Sequence, residues 1–125
     1  PKLRRGLVLV DPPYETQNEF ETLAVQMRHW QKRWASGIYM IWYPVKARTQ
    51  ADLALVIDQA RNWHRPSRAE WLIDNRDIPG QLNGCGLIIL NTPYQLDERL
   101  HALCGELTHL FGYGRFEHAW LGDSL

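Results

Sequence analysis

Residues 7–15 read LVLVDPPYE, an apolar run that ends in an acid, two prolines and an aromatic ring. The uninterrupted run LVLV, with charges before it and prolines after it, is typical of a strand covered on both faces, as in a parallel sheet. The prolines fix two backbone angles and remove two amide donors where the strand ends. The stretch therefore predicts a buried parallel strand with a stiff exit that carries one carboxylate and one ring.

The next segment has a helical pattern. Thr16 and Glu19 can form a capping box, and apolar residues recur at helical spacing from Phe20 to Trp34. Gly37 follows as the expected end of the helix. We expect the tryptophans on apolar helix faces to lie in the core: Trp30, Trp34 and Trp63.

Further strand and helix patterns follow. IYMIWY at 38–43 predicts a second strand ended by Pro44, and Thr49 can cap a second helix. Two short strands are predicted at 71–73 and 86–90. The turn-rich stretch between them contains no helix pattern, so they should form a hairpin.

A leucine repeat from Leu96 to Leu110 predicts a third helix that ends at Gly112, and residues 115–120 predict an edge strand. Strands alternating with helices indicate an α/β sheet with crossover helices, here finishing in an antiparallel hairpin.

Composition indicates one soluble domain. The chain has 125 residues, and its 14 Lys and Arg balance its 14 Asp and Glu. Two cysteines form no metal-type spacing, which favours a reducing, cytoplasmic setting. No apolar run approaches the roughly 20 residues of a membrane span.

The histidines have no recognisable metal-ligand spacing, so no metal is expected: His29, His64, His101, His109 and His118.

Three predicted strands end in a proline beside an aromatic ring. These ends are Asp11–Tyr14, Trp42-Tyr43-Pro44 and Asn91–Tyr94. Ligands of open α/β sheets bind outside the carboxyl ends of the strands. We therefore expect the three ends to gather at one edge of the sheet.

The DPPY stretch has the groups needed to hold an adenine that has been turned out of its stack. The Asp11 carboxylate and a rigid backbone carbonyl can accept both hydrogens of the exocyclic amine, and Tyr14 can stack on the base. Accepting these hydrogens makes the amine a better nucleophile. The simpler reading is a stiff strand exit whose acid caps the following turn.

LVLVDPPYE, GIYMIWYPV and NGCGLIILNTPYQL, in that order, resemble the C-terminal portion of the RlmJ-type 23S ribosomal RNA adenine-N6 methyltransferases. The resemblance implies a class I, Rossmann-like α/β fold with S-adenosyl-L-methionine as co-substrate and no metal. It also implies ribosomal RNA, protein-free or partly assembled, as partner.

The resemblance further assigns roles to individual residues. Asp11 would be the catalytic acid that binds the amine and contacts the co-substrate. The carbonyl of Pro12 would accept a second hydrogen bond from the amine. Tyr14 would stack on the base. Pro13 would lie beside the substrate. Trp42 and Tyr43 would be pocket walls.

Two departures accompany the resemblance. The third motif of the family tends to read Asn-Pro-Pro-Trp, whereas this chain has Asn91-Thr92-Pro93-Tyr94. The glycine-containing loop and acid that bind the co-substrate in the family precede DPPY, and no such loop precedes Leu7. Residues 1–125 are therefore interpreted as the catalytic and substrate half without the cofactor-binding half, and as inactive alone.

Other readings remain open from sequence. A DNA adenine methyltransferase would share DPPY, because the motif contacts the base amine and not the sugar. A non-catalytic nucleic-acid-binding module would retain only the surface that faces the nucleic acid and would transfer no methyl group. The basic residues Arg28, Lys32 and Arg33, and likewise Arg61, Arg65 and Arg68, either contact RNA phosphates or form solvated helix faces.

Overall fold

The computed structural model describes residues 4–14, 18–46, 49–73 and 82–122. Its elements run in the order β1 (Leu7–Val10), α1 (Glu19–Arg33), β2 (Ile38–Val45), α2 (Thr49–Ala60), β3 (Ser67–Leu72), β4 (Gly84–Leu90), α3 (Leu96–Phe111) and β5 (Arg115–Trp120). In this part of the chain, no helix combines the length and apolar character needed to cross a membrane.

The strands form one mixed sheet in the order β1-β2-β4-β3-β5. Strands β1 and β2 are parallel, and every other neighbouring pair is antiparallel. The hairpin predicted between the third and fourth strands is confirmed as β3 and β4. Of the predicted turn-rich stretch, 74–84, residues 74–81 lie outside the described residues, and Gly84 is already the first residue of β4. The α/β fold class is confirmed.

Helices α1 and α2 pack on one face of the sheet, and α3 packs against β5. The main core lies under α1 and α2, where alternate residues of β2 point inward: Tyr39, Ile41 and Tyr43. Met27 of α1 and Val56 of α2 are fully buried in this core. Each such side chain contributes about 1.5–3 kcal/mol relative to an exposed one.

The tryptophans expected in the core pack around Tyr39. The Trp30 ring stacks on Tyr39 with centroids 5.3 Å apart, and Trp63 meets it edge-on at 5.1 Å. Trp63 is buried, whereas Trp30 and Trp34 are half-buried against the core. Aromatic pairs in these arrangements add about 0.5–1.5 kcal/mol beyond area burial.

The prediction that the first strand is covered on both faces is wrong for this chain. Val8 and Val10 face the core, but Leu7 and Leu9 are 62% and 67% exposed. β1 is the edge strand, and neither α1 nor α2 lies on the side of Leu7 and Leu9. A continuous apolar run therefore occurs here on a strand with one open face.

Several predicted boundaries also shift. Helix α1 ends at Arg33, before the predicted Gly37, because Trp34 leaves the helical conformation with φ −154°. Gly37 instead makes room for the Trp34 ring, since a Cβ there would lie 2.6 Å from its Cε3. β2 continues through Pro44, and β3 begins four residues before the predicted start at 71. The polar residues of β3 interrupt the apolar pattern from which strands are predicted.

Two predicted helix ends lie where expected. Gly112 ends α3 with φ 77°, and its N–H donates to the Thr108 carbonyl at 2.9 Å. α2 begins at Thr49, although the side chain of that residue is outside the described part. Thr16, the predicted cap of α1, is also outside it.

Candidate active site

A pocket of about 200 Å³ lies at the carboxyl end of β1 and is lined by Leu9, Asp11 and Trp42. Leu9 and Asp11 are two residues apart and therefore share one side of the extended chain. Leu9 pairs with Met40, so Trp42, two residues further along β2, lies on that same side. Two predicted site residues, Asp11 and Trp42, thus share a pocket with an apolar wall and one exposed carboxylate.

Tyr14 is tied to this pocket through the backbone of Trp42. Its hydroxyl donates a hydrogen bond to the Trp42 carbonyl, and its ring lies against Phe20 with centroids 4.9 Å apart. The residue takes φ 52°, in the left-handed region that favours glycine. Its ring contact and hydrogen bond hold this conformation directly after the two prolines. Tyr14 itself does not line the pocket.

The surroundings of Tyr14 are acidic. Burial raises the pKa of the Tyr14 phenol, and the nearby charges of Glu19 and Asp11 raise it further. The Oε2 atom of Glu19 is buried with no hydrogen-bond partner among the described residues. This negative potential favours groups that donate hydrogen bonds or carry positive charge.

The two prolines occupy different environments. Pro12 is half-buried and Pro13 is exposed. Neither residue has an amide hydrogen, so their carbonyls meet no competing donor from their own backbone. Asp11 and Pro13 are both exposed where β1 ends.

Tyr43 does not lie with Trp42 in the pocket. Successive residues of a strand point to opposite faces, and Tyr43 is only 1% exposed in the core under α1 and α2. Its hydroxyl donates to Glu70 Oε1 at 2.7 Å. The predicted pocket wall at Tyr43 is therefore a core residue in this structure, and Trp42 alone of the pair lines the pocket.

The third strand end lies at the opposite end of the sheet, where β1 and β2 begin. The prediction that the three strand ends gather together is therefore wrong. β4 runs antiparallel to β2, and its last residue, Leu90, pairs with Tyr39 near the start of β2. The Asn91 side chain donates to the carbonyls of Ala35 and Gly37, both at 2.7 Å. The Asn91–Tyr94 segment therefore lies at the end of the sheet opposite Asp11.

Comparison with known proteins identifies the family. Residues 1–121 match the family RsmJ, described as Ribosomal RNA large subunit methyltransferase D, RlmJ. The chain belongs to the RlmJ family. The resemblance found in the motifs is thereby confirmed.

Two curated relatives in the RlmJ family are each named Ribosomal RNA large subunit methyltransferase J. The Haemophilus influenzae protein is 29% identical over 124 residues, covering 97% of this chain and 44% of the relative. The Escherichia coli K12 protein is 31% identical over 102 residues, covering 81% and 36%. The chain spans less than half the length of these relatives.

A solved structure has the same fold. The crystal structure of protein LPL1258 from Legionella pneumophila, family DUF519, aligns with a TM-score of 0.79 at 27% identity. The alignment covers 94% of this chain and 44% of that chain. The mixed sheet is thus consistent with the class I methyltransferase-like sheet implied by the RlmJ resemblance.

Sequence reasoning missed three neighbours of the RlmJ-type motif: Leu9, Glu19 and Phe20. Leu9 was detectable, because it lies two residues before Asp11 and alternation places both on one side. In the sequence, Glu19 and Phe20 indicate only the start of a helix. Their approach to Tyr14 depends on how α1 packs, which no local pattern records.

Proposed function

We propose that this chain holds the substrate of a methyltransferase that transfers a methyl group from S-adenosyl-L-methionine to adenine N6 in 23S ribosomal RNA. The observation that supports it most is the pocket shared by Asp11 and Trp42 at the end of the strand that leads into DPPY. Membership of the RlmJ family favours RNA over DNA as the carrier of the adenine.

In this proposal each residue of the strand end has a chemical role that the RlmJ-type motif implies. The exposed Asp11 carboxylate accepts a hydrogen bond from the N6 amine, and the Pro12 carbonyl accepts the second hydrogen. Both bonds draw the lone pair of the nitrogen out of ring conjugation and raise its nucleophilicity. Trp42 supplies an apolar wall, and Pro13 borders the base. Tyr14 packs on Phe20 outside the pocket, so its proposed stacking involves a base that extends beyond the pocket and the part of the ring that is not buried.

The residues present fit the co-substrate chemically. S-adenosyl-L-methionine supplies a methyl group on a positively charged sulfur. Asp11, with Glu19 near Tyr14, gives this end of the sheet the negative potential that suits a cation. The amine nitrogen would attack the methyl carbon as the bond from that carbon to sulfur breaks, so that neutral S-adenosyl-L-homocysteine leaves. No residue of the chain becomes covalently modified, and the methylated amine then loses one proton to solvent.

We further propose that the main co-substrate-binding part of the site packs against the open side of β1. Leu7 and Leu9 are exposed there, and the outer backbone edge of β1 has no strand neighbour among the described residues. An exposed apolar strand at a sheet edge invites such a cover. On this proposal residues 1–125 alone neither bind the co-substrate tightly nor transfer methyl groups.

Calorimetric titration of S-adenosyl-L-methionine tests this division. We expect binding by a version of the protein extended upstream to the length of its relatives, and none by the 125-residue chain. Tight binding by the shorter chain would show that the donor pocket lies within these residues.

Methyl transfer by the longer protein to protein-free 23S ribosomal RNA tests the role of Asp11. Asp11→Asn should lower turnover by roughly 100-fold or more, because the amine loses its charged acceptor. Glu106→Gln removes an exposed carboxylate of α3 and serves as the matched control. Near-normal turnover by Asp11→Asn contradicts the role, and faster methylation of DNA of equal sequence contradicts the proposed substrate.

A further inference from the structure

Four segments meet at the end of the sheet opposite Asp11, and together they form what we call the amino-end surface: residues 4–6, 32–37, 61–65 and 91–95. The Ser36 hydroxyl donates to the Arg4 carbonyl at 2.8 Å. Asn91 donates from its side chain to Ala35 and from its backbone N–H to the His64 carbonyl at 2.9 Å. These bonds join the segments into one continuous surface.

The amino-end surface is strongly basic although the whole chain is neutral. Its segments contain no Asp or Glu, and they carry the cations Arg4, Arg5, Lys32, Arg33, Arg61 and Arg65, together with His64. All of these side chains belong to exposed residues. The carboxylates that balance the charge of the chain therefore lie outside these four segments, and Asp58 is one that borders them.

Most of these charges are not neutralised locally. Arg61 lies 3.5 Å from Asp58, whereas Arg4, Arg5, Lys32 and Arg33 form no ion pair with any residue that the structure describes. Helices α1 and α2 end here, and each carboxyl end contributes about half a negative charge. Two helix ends offset roughly one of the cations, so a clear positive excess remains.

Aromatic rings accompany the cations. Tyr94 is 83% exposed, and the Arg65 guanidinium lies 4.8 Å from the centre of the Trp120 ring. Arg65 also donates from Nε to the Thr92 carbonyl at 3.2 Å. Exposed rings beside unpaired cations are the combination that binds nucleic-acid strands, because bases stack on the rings while phosphates meet the charges.

We propose that the amino-end surface binds the phosphate backbone of RNA flanking the methylated adenine, with Tyr94 stacking on an unpaired base. This rests on the proposed function for the identity of the RNA. Arg5 and Asp11 are six residues apart along an extended strand, so the two sites lie about 20 Å apart. RNA that reaches both therefore extends well beyond the target base and is positioned without its sequence being read.

Binding of a 23S ribosomal RNA fragment to the 125-residue chain, measured by fluorescence anisotropy across a salt series, tests the proposal. The triple variant Arg4→Gln, Lys32→Gln, Arg33→Gln should bind roughly tenfold or more weakly. Its slope of log affinity against log salt should become shallower by about 2, since three phosphate contacts are lost.

The matched control is Arg28→Gln, Arg99→Gln, Arg115→Gln, which removes the same charge from exposed positions outside the surface. The control should retain most of the affinity and slope. Equal losses in the two variants would show an effect of net charge alone and would overturn the proposal. Circular dichroism and thermal unfolding confirm that both variants are folded.

Two more measurements sharpen the outcome. Tyr94→Ala should weaken binding by roughly fivefold or more for RNA with an unpaired loop, with duplex binding unchanged. Displacement of the RNA by poly-glutamate of equal charge as effectively as by unlabelled RNA would overturn the assignment to RNA in favour of an acidic protein. These assays involve no methyl donor, so their failure is distinguishable from failure of the proposed methyl transfer.

Discussion

The Tyr14 hydroxyl donates a hydrogen bond to the backbone carbonyl of Trp42, joining the DPPY exit of β1 to the neighbouring strand. This bond ties the side chain of Tyr14, whose backbone has φ 52°, to the strand that contributes Trp42 to the pocket. The site is therefore held by the contact between two parallel strands and does not depend on the stiffness of the prolines alone.

Tyr14→Phe removes this bond and keeps the ring packed on Phe20. We expect the free energy of unfolding in urea to fall by about 1 kcal/mol. Tyr94→Phe removes a hydroxyl from a ring that is 83% exposed and should leave stability unchanged. Equal effects of the two substitutions would contradict a structural role for the Tyr14 bond.

Stability should fall at alkaline pH because of Tyr43. Burial, and then the Glu70 charge, raises the pKa of its phenol above the ordinary value of 10.0. The unfolded chain loses this proton above pH 10 while the folded chain keeps it, so the stabilisation is complete below pH 10 and is lost as pH rises. The loss approaches about 1.4 kcal/mol per pH unit for one group.

Urea unfolding of wild type and Tyr43→Phe between pH 9 and about 11.5 measures this effect. The variant should be less stable at neutral pH, because it lacks the bond to Glu70, and its stability should fall less steeply above pH 10. Identical slopes would mean that Tyr43 ionises equally easily in both states.

Two glycine substitutions should have opposite effects on stability. A Cβ at Gly86 would lie 2.2 Å from Cζ of Tyr43, whose hydroxyl is held by Glu70, so Gly86→Ala should cost about 2 kcal/mol or more. Gly105 lies inside α3 with nothing within 4 Å of such a Cβ. Gly105→Ala should therefore raise the free energy of unfolding by about 0.5–1 kcal/mol.

Asn91 should matter through both its side chain and its backbone, since its side chain makes two hydrogen bonds and its backbone has φ 56°. Asn91→Gly removes only the side-chain bonds and should cost about 1–2 kcal/mol. Asn91→Ala also strains the left-handed backbone and should cost about 1 kcal/mol more. Thermal and urea unfolding of the two variants separate these contributions. Equal losses of stability would contradict the proposed backbone strain in Asn91→Ala.

Local patterns predicted much of the fold. Helical spacing and the Gly112 cap located α3, and the absence of a helix pattern between the third and fourth strands predicted their hairpin. These features depend on residues close together in the chain. The DPPY motif likewise indicated where the candidate site lies, because Asp11 follows its strand directly.

The direction of β4, the open face of β1 and the placement of Tyr43 were decided only by tertiary structure. β4 lies between β2 and β3 and runs antiparallel to both. Asn91–Tyr94 therefore lies at the end of the sheet opposite Asp11. A strand has the same apolar pattern in either direction and on either side of a neighbour. The sequence by itself indicated most of the elements and the residue types at the candidate site. Long-range pairing determined which strand ends meet, because pairing joins residues distant in the chain.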